Sequence, residues 1–230
     1  MKTWGILGLG WLGSALQDTL RLQGVTAWGT HRSECDLLTG AVPARSCDVL
    51  FLNTPPLKAM TPEAYADKIS ASAAERIIFI SSTSVYGEAQ PHVTEADAPQ
   101  PDSPNGQWLV ATENALKARF QERLTIIRPG GLIGGERHPI RSMAGKTGIP
   151  NGVVNLIHRT DLIGIILQTP QAAVINAVAP FHPLKSEYYS LWAHKLQLPT
   201  PQFQPHPSQR IVSSRHLDDF TWRCPLLDWI

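Results

Sequence analysis

Cysteine is scarce: Cys35, Cys47 and Cys224 are the only three in 230 residues. Far apart and odd in number, they exclude a disulfide framework and a paired-cysteine zinc site, and a reducing cytoplasm is the expected compartment. Charge is thin and even, with 20 Lys and Arg against 19 Asp and Glu, a net charge of +1 and no block of one sign. That balance argues against a nucleic-acid partner or an anionic membrane surface. No apolar run approaches the roughly 20 residues that cross a bilayer. The eight histidines are scattered without metal-ligand spacing, so no metal site is expected. There is no internal repeat and no low-complexity segment. A hydrophobic content of 43% suits a globule of one domain, or one domain with a small lobe built from its later part. Prolines cluster between Pro91 and Pro104 and between Pro199 and Pro207, marking two irregular connections.

The most informative segment is Thr3 to Gly13. Ile6 and Leu7 fit a buried strand, and Gly8, Gly10 and Gly13 have G-x-G-x-x-G spacing. In a dinucleotide-binding turn the first glycine makes the reversal, the second lets backbone approach a pyrophosphate, and the third packs helix on strand. Trp11, Leu12, Ala15, Leu16 and Leu20 then recur at helical spacing, and Gly24 is placed to stop the helix. A secretory leader is the rival reading, with Lys2, an apolar stretch and Ser14-Ala15. The density of glycine and the amphipathic continuation argue against it.

Further strands are expected at Val25–Gly29, ending at Thr30-His31-Arg32, and at Asp48–Asn53, running into Thr54-Pro55-Pro56. Pro62 starts a helix that extends to about residue 74. Arg76–Ile80 reads as a strand buried on both faces. A helix over about Gln107–Arg123 and a strand at Leu124–Arg128, stopped by Pro129-Gly130-Gly131, complete the series. Alternating strands and helices imply a Rossmann-type α/β fold, a doubly wound parallel sheet whose ligand crevice lies at the carboxyl ends of the strands. Too few residues separate Arg32 from Val49 for the usual helix and strand there. At most an abbreviated element is expected.

Four motifs in order resemble the short-chain dehydrogenase/reductase superfamily, in its extended, epimerase/dehydratase-like branch. They are Gly8-Leu9-Gly10-Trp11-Leu12-Gly13, Phe79-Ile80-Ser81-Ser82-Thr83-Ser84-Val85-Tyr86-Gly87, Ile127-Arg128-Pro129-Gly130-Gly131-Leu132-Ile133-Gly134, and Asn155-Leu156-Ile157-His158-Arg159-Thr160-Asp161-Leu162. The resemblance implies a dinucleotide-binding domain over residues 1–180, with part of a lobe inserted at about 131–154. The rest of that small C-terminal lobe lies at 182–230. It implies cofactor contacts from Gly8, Gly10, Trp11, Leu12, Gly13, Thr30, His31, Arg32, Asn53, Thr54, Pro55, Pro56, Ser81 and Pro129. The family's catalytic hydroxyl falls on Ser82, with Thr83 beside it. Aligning the family's Ala-Glu on Thr112-Glu113 puts its Tyr-x-x-x-Lys positions on Asn105 and Leu109. An amide does not titrate and a leucine carries no charge, so the family's acid/base pair is missing.

Other candidates carry ordinary expectations. Tyr86 is a packing residue rather than a replacement acid. His158 is the titratable stand-in, with a hydrogen bond to its loop as the expected role. Arg128 anchors a strand end. Arg141, Lys146 and Arg159 fall where the family binds substrate, or are solvated. Tyr188, Tyr189 and Trp192 share a helix face and read as core of the lobe.

At the end of the second strand, Thr30-His31-Arg32-Ser33 offers a guanidinium fork and hydroxyls, with no acid before Glu34. That favours NADP over NAD. Two functions follow. One is an NADP-dependent oxidoreductase or epimerase working on a small polar or sugar-like molecule with non-standard acid/base groups. The other is a catalytically silent dinucleotide sensor or scaffold without a substrate, monomeric or homodimeric in either case.

Overall fold

In the computed structural model, residues 2–171, 173–207 and 209–228 are described. The chain runs β1 (Trp4–Leu7), α1 (Trp11–Leu22), β2 (Ala27–Thr30), β3 (Val49–Leu52), α2 (Pro62–Ser70), β4 (Arg76–Ile80) and β5 (His92–Val93). Next come α3 (Pro104–Phe120), β6 (Leu124–Pro129), β7 (Gly131–Ile133), α4 (Ile140–Met143), β8 (Ile149–Pro150) and β9 (Leu156–His158). It ends with α5 (Arg159–Gln168), β10 (Val174–Ala177), α6 (Lys185–Lys195), β11 (Phe203–Gln204) and β12 (Ile211–Val212).

Six strands form one sheet in the order β2-β1-β3-β4-β6-β10, the Rossmann-type arrangement expected from the alternating pattern. The pairings from β2 through β6 are parallel. β1, β3 and β4 are almost wholly apolar and bury both faces, as strands covered by helices on each side must. The strand order reverses beside β1, which puts the crevice over the carboxyl ends of β1 and β3. Residues 31–48 carry turns alone, so the connection between Arg32 and Val49 is shortened as its length required.

Helix ends depart from the periodicity for local reasons. α3 begins at Pro104, ahead of Gln107, because Ser103 caps it: the Gly106 N–H donates to Ser103 Oγ at 3.1 Å, and Pro104 presets the first turn. α2 stops at Ser70, short of residue 74. The Ser72 hydroxyl takes the Ala74 N–H at 3.3 Å and turns the chain instead.

Contacts divide the chain into two compact units. The first comprises residues 1–85, 101–128 and 168–175, and the second 86–100, 129–167 and 176–230. The second unit holds three two-stranded parallel ribbons, β5 with β12, β7 with β9, and β8 with β11. Tyr188, Tyr189 and Trp192 of α6 are all buried in its core. There His138 Nδ1 accepts the Ile140 N–H at 3.2 Å, so Nε2 carries the proton and donates to Tyr188 Oη at 3.1 Å. The Tyr188 hydroxyl passes its own proton on to Leu227 O at 3.1 Å.

Candidate functional site

The glycine turn has the geometry its spacing predicts. Gly8 has φ +103°, and a Cβ there would lie 2.4 Å from Asn53 O. A Cβ on Gly13 would lie 2.2 Å from Gly8 O, so helix and turn touch backbone to backbone. Around Gly10 the position of a Cβ is empty to 4 Å, and no side chain caps the start of α1. An open approach over an uncapped helix N-terminus fits a pyrophosphate, which would fill the space that a side chain at position 10 would otherwise take. Thr30 O accepts the N–H groups of Gly8 and Leu9 at 3.2 and 2.9 Å, and Asn53 Nδ2 donates to Gly8 O at 3.0 Å. The turn is thus pinned to the ends of β2 and β3.

One cavity opens on the β2 side. Thr30, Arg32, Asp36, Asn53, Thr54 and Pro55 are among the residues lining it. Arg32 is 74% exposed and its Nε lies 3.4 Å from Asp36 Oδ2. Glu34 is spent on the His31 N–H at 2.8 Å. Asp36 is the acid that sequence reasoning missed, because the turns of 31–48 fold it back beside Arg32. The Leu38 N–H, then Arg32, hold its carboxyl below the usual carboxylate range. Cys35 also lines the cavity, its thiol pushed up by burial and by Asp36.

A second cavity of about 290 Å³ is lined by Asn53–Pro56, Ile80–Ser82, Ser84, Asn105 and Leu109. It brings together Ser82, Asn105 and Leu109. Ser82 Oγ accepts the Ser84 N–H at 3.1 Å. A Cβ on Gly106 would lie 2.2 Å from Ser84 O, so the first turn of α3 rests against this loop and sets Asn105 beside it. Leu109, one turn on, is 5% exposed. Tyr65, fully buried under the wall, bonds Thr54 Oγ1 at 3.0 Å, and burial pushes its hydroxyl up to about 12. Thr83 is buried in the 3-10 turn, and Pro129 is buried at the end of β6. Neither lines this cavity. Gly10, Trp11, Leu12, Gly13 and His31 belong to the turn and the β2 end rather than to either lining.

The cavity floor is tied to a buried ion pair. Ser81 Oγ donates to Glu113 Oε1 at 2.6 Å, and Arg128 grips both oxygens of the same carboxylate. Arg128 therefore anchors its strand end. Tyr86, 1% exposed, shares its hydroxyl proton between Thr94 O and Asn176 Oδ1, at 2.9 and 3.0 Å, which is a packing role. His158 Nδ1 accepts the Thr160 N–H at 3.2 Å, and burial holds the ring below its ordinary pKa.

No family model matches the chain. The fold is shared with a dTDP-4-dehydrorhamnose reductase from Yersinia enterocolitica (17% identity, 96% of this chain and 93% of that one, TM-score 0.74). It is also shared with a short-chain dehydrogenase/reductase superfamily protein from Agrobacterium tumefaciens with bound NAD (17% identity, 94% and 90%, TM-score 0.73). What these solved structures share with the chain is the class of Rossmann-type α/β folds. With 32% identity over 240 residues, 89% of this chain and 87% of the relative, the chain belongs to the family of Protein YeeZ of Escherichia coli K12.

Proposed function

We propose that the chain binds NADP across the glycine turn and acts as an oxidoreductase or epimerase on a small polar or sugar-like molecule, without the family's Tyr and Lys. The observation that carries this reading is the open Gly10 approach, with a cavity holding Arg32 on one side and a cavity holding Ser82 on the other. Arg32 supplies a fork for a 2′-phosphate. The bound nicotinamide would supply hydride chemistry. Ser82 holds the substrate oxygen. Relatives of the same fold that act on a nucleotide sugar or hold NAD support the substrate and cofactor classes. A cytoplasmic monomer or homodimer goes with the reading.

Asn105 and Leu109 favour a second reading, a dinucleotide sensor without turnover, because neither residue moves a proton. Calorimetric titration with NADPH and NADH, followed by turnover assays on aldehydes, ketones, enals, enones and nucleotide sugars, separates the two. Tight NADPH binding with substrate-dependent oxidation supports the enzyme, and tight binding with no oxidation supports the sensor. No binding of either dinucleotide overturns both.

A further inference from the structure

Ser82 and Asn105 line one cavity, and each keeps a hydrogen-bond donor unspent. The bond from the Ser84 N–H uses a lone pair of Ser82 Oγ and leaves the hydroxyl proton available. Asn105 is exposed in the first turn of α3, and its amide makes no hydrogen bond among the described residues. The close approach of Gly106 to Ser84 O holds the two donors on neighbouring walls. Among the described residues, none that lines the cavity is an Asp, Glu, His, Lys, Cys or Tyr.

Two neutral donors without an acid determine which charge the cavity can manage. They stabilise a developing oxyanion by hydrogen bonding, but they cannot surrender a proton. A simple ketone that receives hydride becomes an alkoxide, a strong base that needs a proton at once. A conjugated carbonyl behaves differently. Hydride adds at its β carbon, and the C=C electron pair shifts to form a new double bond between the α carbon and the carbonyl carbon. The carbonyl pair then rests on oxygen. The resulting enolate oxygen is much less basic and is content with hydrogen bonds. Water later protonates the α carbon and restores the carbonyl. The balance is one hydride and one proton added across one C=C bond.

We propose that Ser82 and Asn105 form an oxyanion-holding pair, and that the substrate class is an α,β-unsaturated carbonyl compound reduced at its carbon–carbon double bond by a reduced nicotinamide dinucleotide. The substrate half rests on the dinucleotide reading above, whereas the pair does not.

The probe is 4-nitrophenol, whose yellow phenolate mimics an enolate oxygen and whose neutral form is colourless. The full chain should bind it as the phenolate, with ionisation favoured at least about tenfold, a shift of one pKa unit. Ser82→Ala and Asn105→Leu should each remove most of that shift while leaving the melting temperature unchanged. With NADPH, enals and enones should be consumed and saturated ketones ignored, and Asn105→Leu should lose about 10²–10³-fold in rate. Phenol that stays colourless when bound, or a shift indifferent to both variants, overturns the pair. A titration in the same samples reads NADPH binding separately. NADPH binding beside a colourless phenol leaves the dinucleotide reading standing and ends this one. Bound phenolate without NADPH binding keeps the pair and ends the substrate class. Saturated ketones reduced as fast as enones also overturn that class.

Discussion

Glu113 is held on both oxygens by Arg128, with Nε 3.0 Å from Oε1 and Nη2 2.6 Å from Oε2. The side chains are 1% and 3% exposed, so each charge depends on the other in place of water. The same Oε1 also receives the Ser81 hydroxyl, which lines the Ser82 cavity. A helix residue and a strand residue thereby fix the floor of the site.

Breaking that pair from one side leaves a bare buried charge. Glu113→Leu or Arg128→Met alone should cost about 3–5 kcal/mol in denaturant unfolding. The double replacement should cost much less than the sum of the two. Additive losses would mean that the pair does not carry its two charges jointly.

The glycines of the turn should separate folding from binding. A Cβ on Gly10 would meet no protein atom within 4 Å, so Gly10→Val should keep nearly the parent's stability while dinucleotide affinity disappears in calorimetry. Gly13→Ala drives a methyl group against Gly8 O and should destabilise the chain by about 1–3 kcal/mol in thermal unfolding. Retained affinity in Gly10→Val would remove the pyrophosphate from this turn.

Arg32 and Asp36 should act in opposite directions. Arg32→Ala should weaken NADP by about 1.5–3 kcal/mol, a charge-assisted bond's worth, and leave NAD nearly unchanged. Asp36→Asn frees the guanidinium and removes a like charge from the phosphate's neighbourhood, so NADP should bind more tightly. Comparative titrations check both, and equal losses for the two cofactors in Arg32→Ala would detach it from the 2′-phosphate.

Stability should fall in mild acid. Burial, then Arg141, lowers His138 from 6.5 to about 4, so the unfolded chain takes up a proton that the folded chain refuses. The stability linked to this group is complete above about pH 6.5 and is lost as pH falls to about 4. That loss amounts to about 3 kcal/mol at 1.36 kcal/mol per unit. His158 and His182 are lowered by burial as well and add in the same direction. Urea unfolding across this range, followed by tryptophan fluorescence, should show a shallower slope in His138→Phe.

What could be read from sequence was local. Gly8, Gly10 and Gly13 announce themselves because one turn constrains three nearby positions, and Ser103-Pro104 carries a cap in adjacent residues. Asn105 and Leu109 share a face of α3, since a helix repeats its face every turn, and both line the cavity. The partnership of Glu113 with Arg128 and Ser81 was not visible, because the sheet and not the chain brings those residues together. Asp36 escaped for a different, local reason: with no helix over residues 31–48, no periodicity says which side chain returns to Arg32. The two-residue strands of the second unit are too short to bear any alternation at all.

Asn53, Thr54 and Pro55 line both cavities of the first unit. Asn53 is fixed by its N–H to Leu7 O, and its amide in turn holds Gly8 O. Two ligands lodged on opposite sides of this partition would be read by the same three residues. Whatever tightening the first arrival imposes is inherited by the second, and linkage makes the effect reciprocal, each raising or lowering the other's affinity by one common factor. The strength of that coupling would then be written into a single short stretch of backbone.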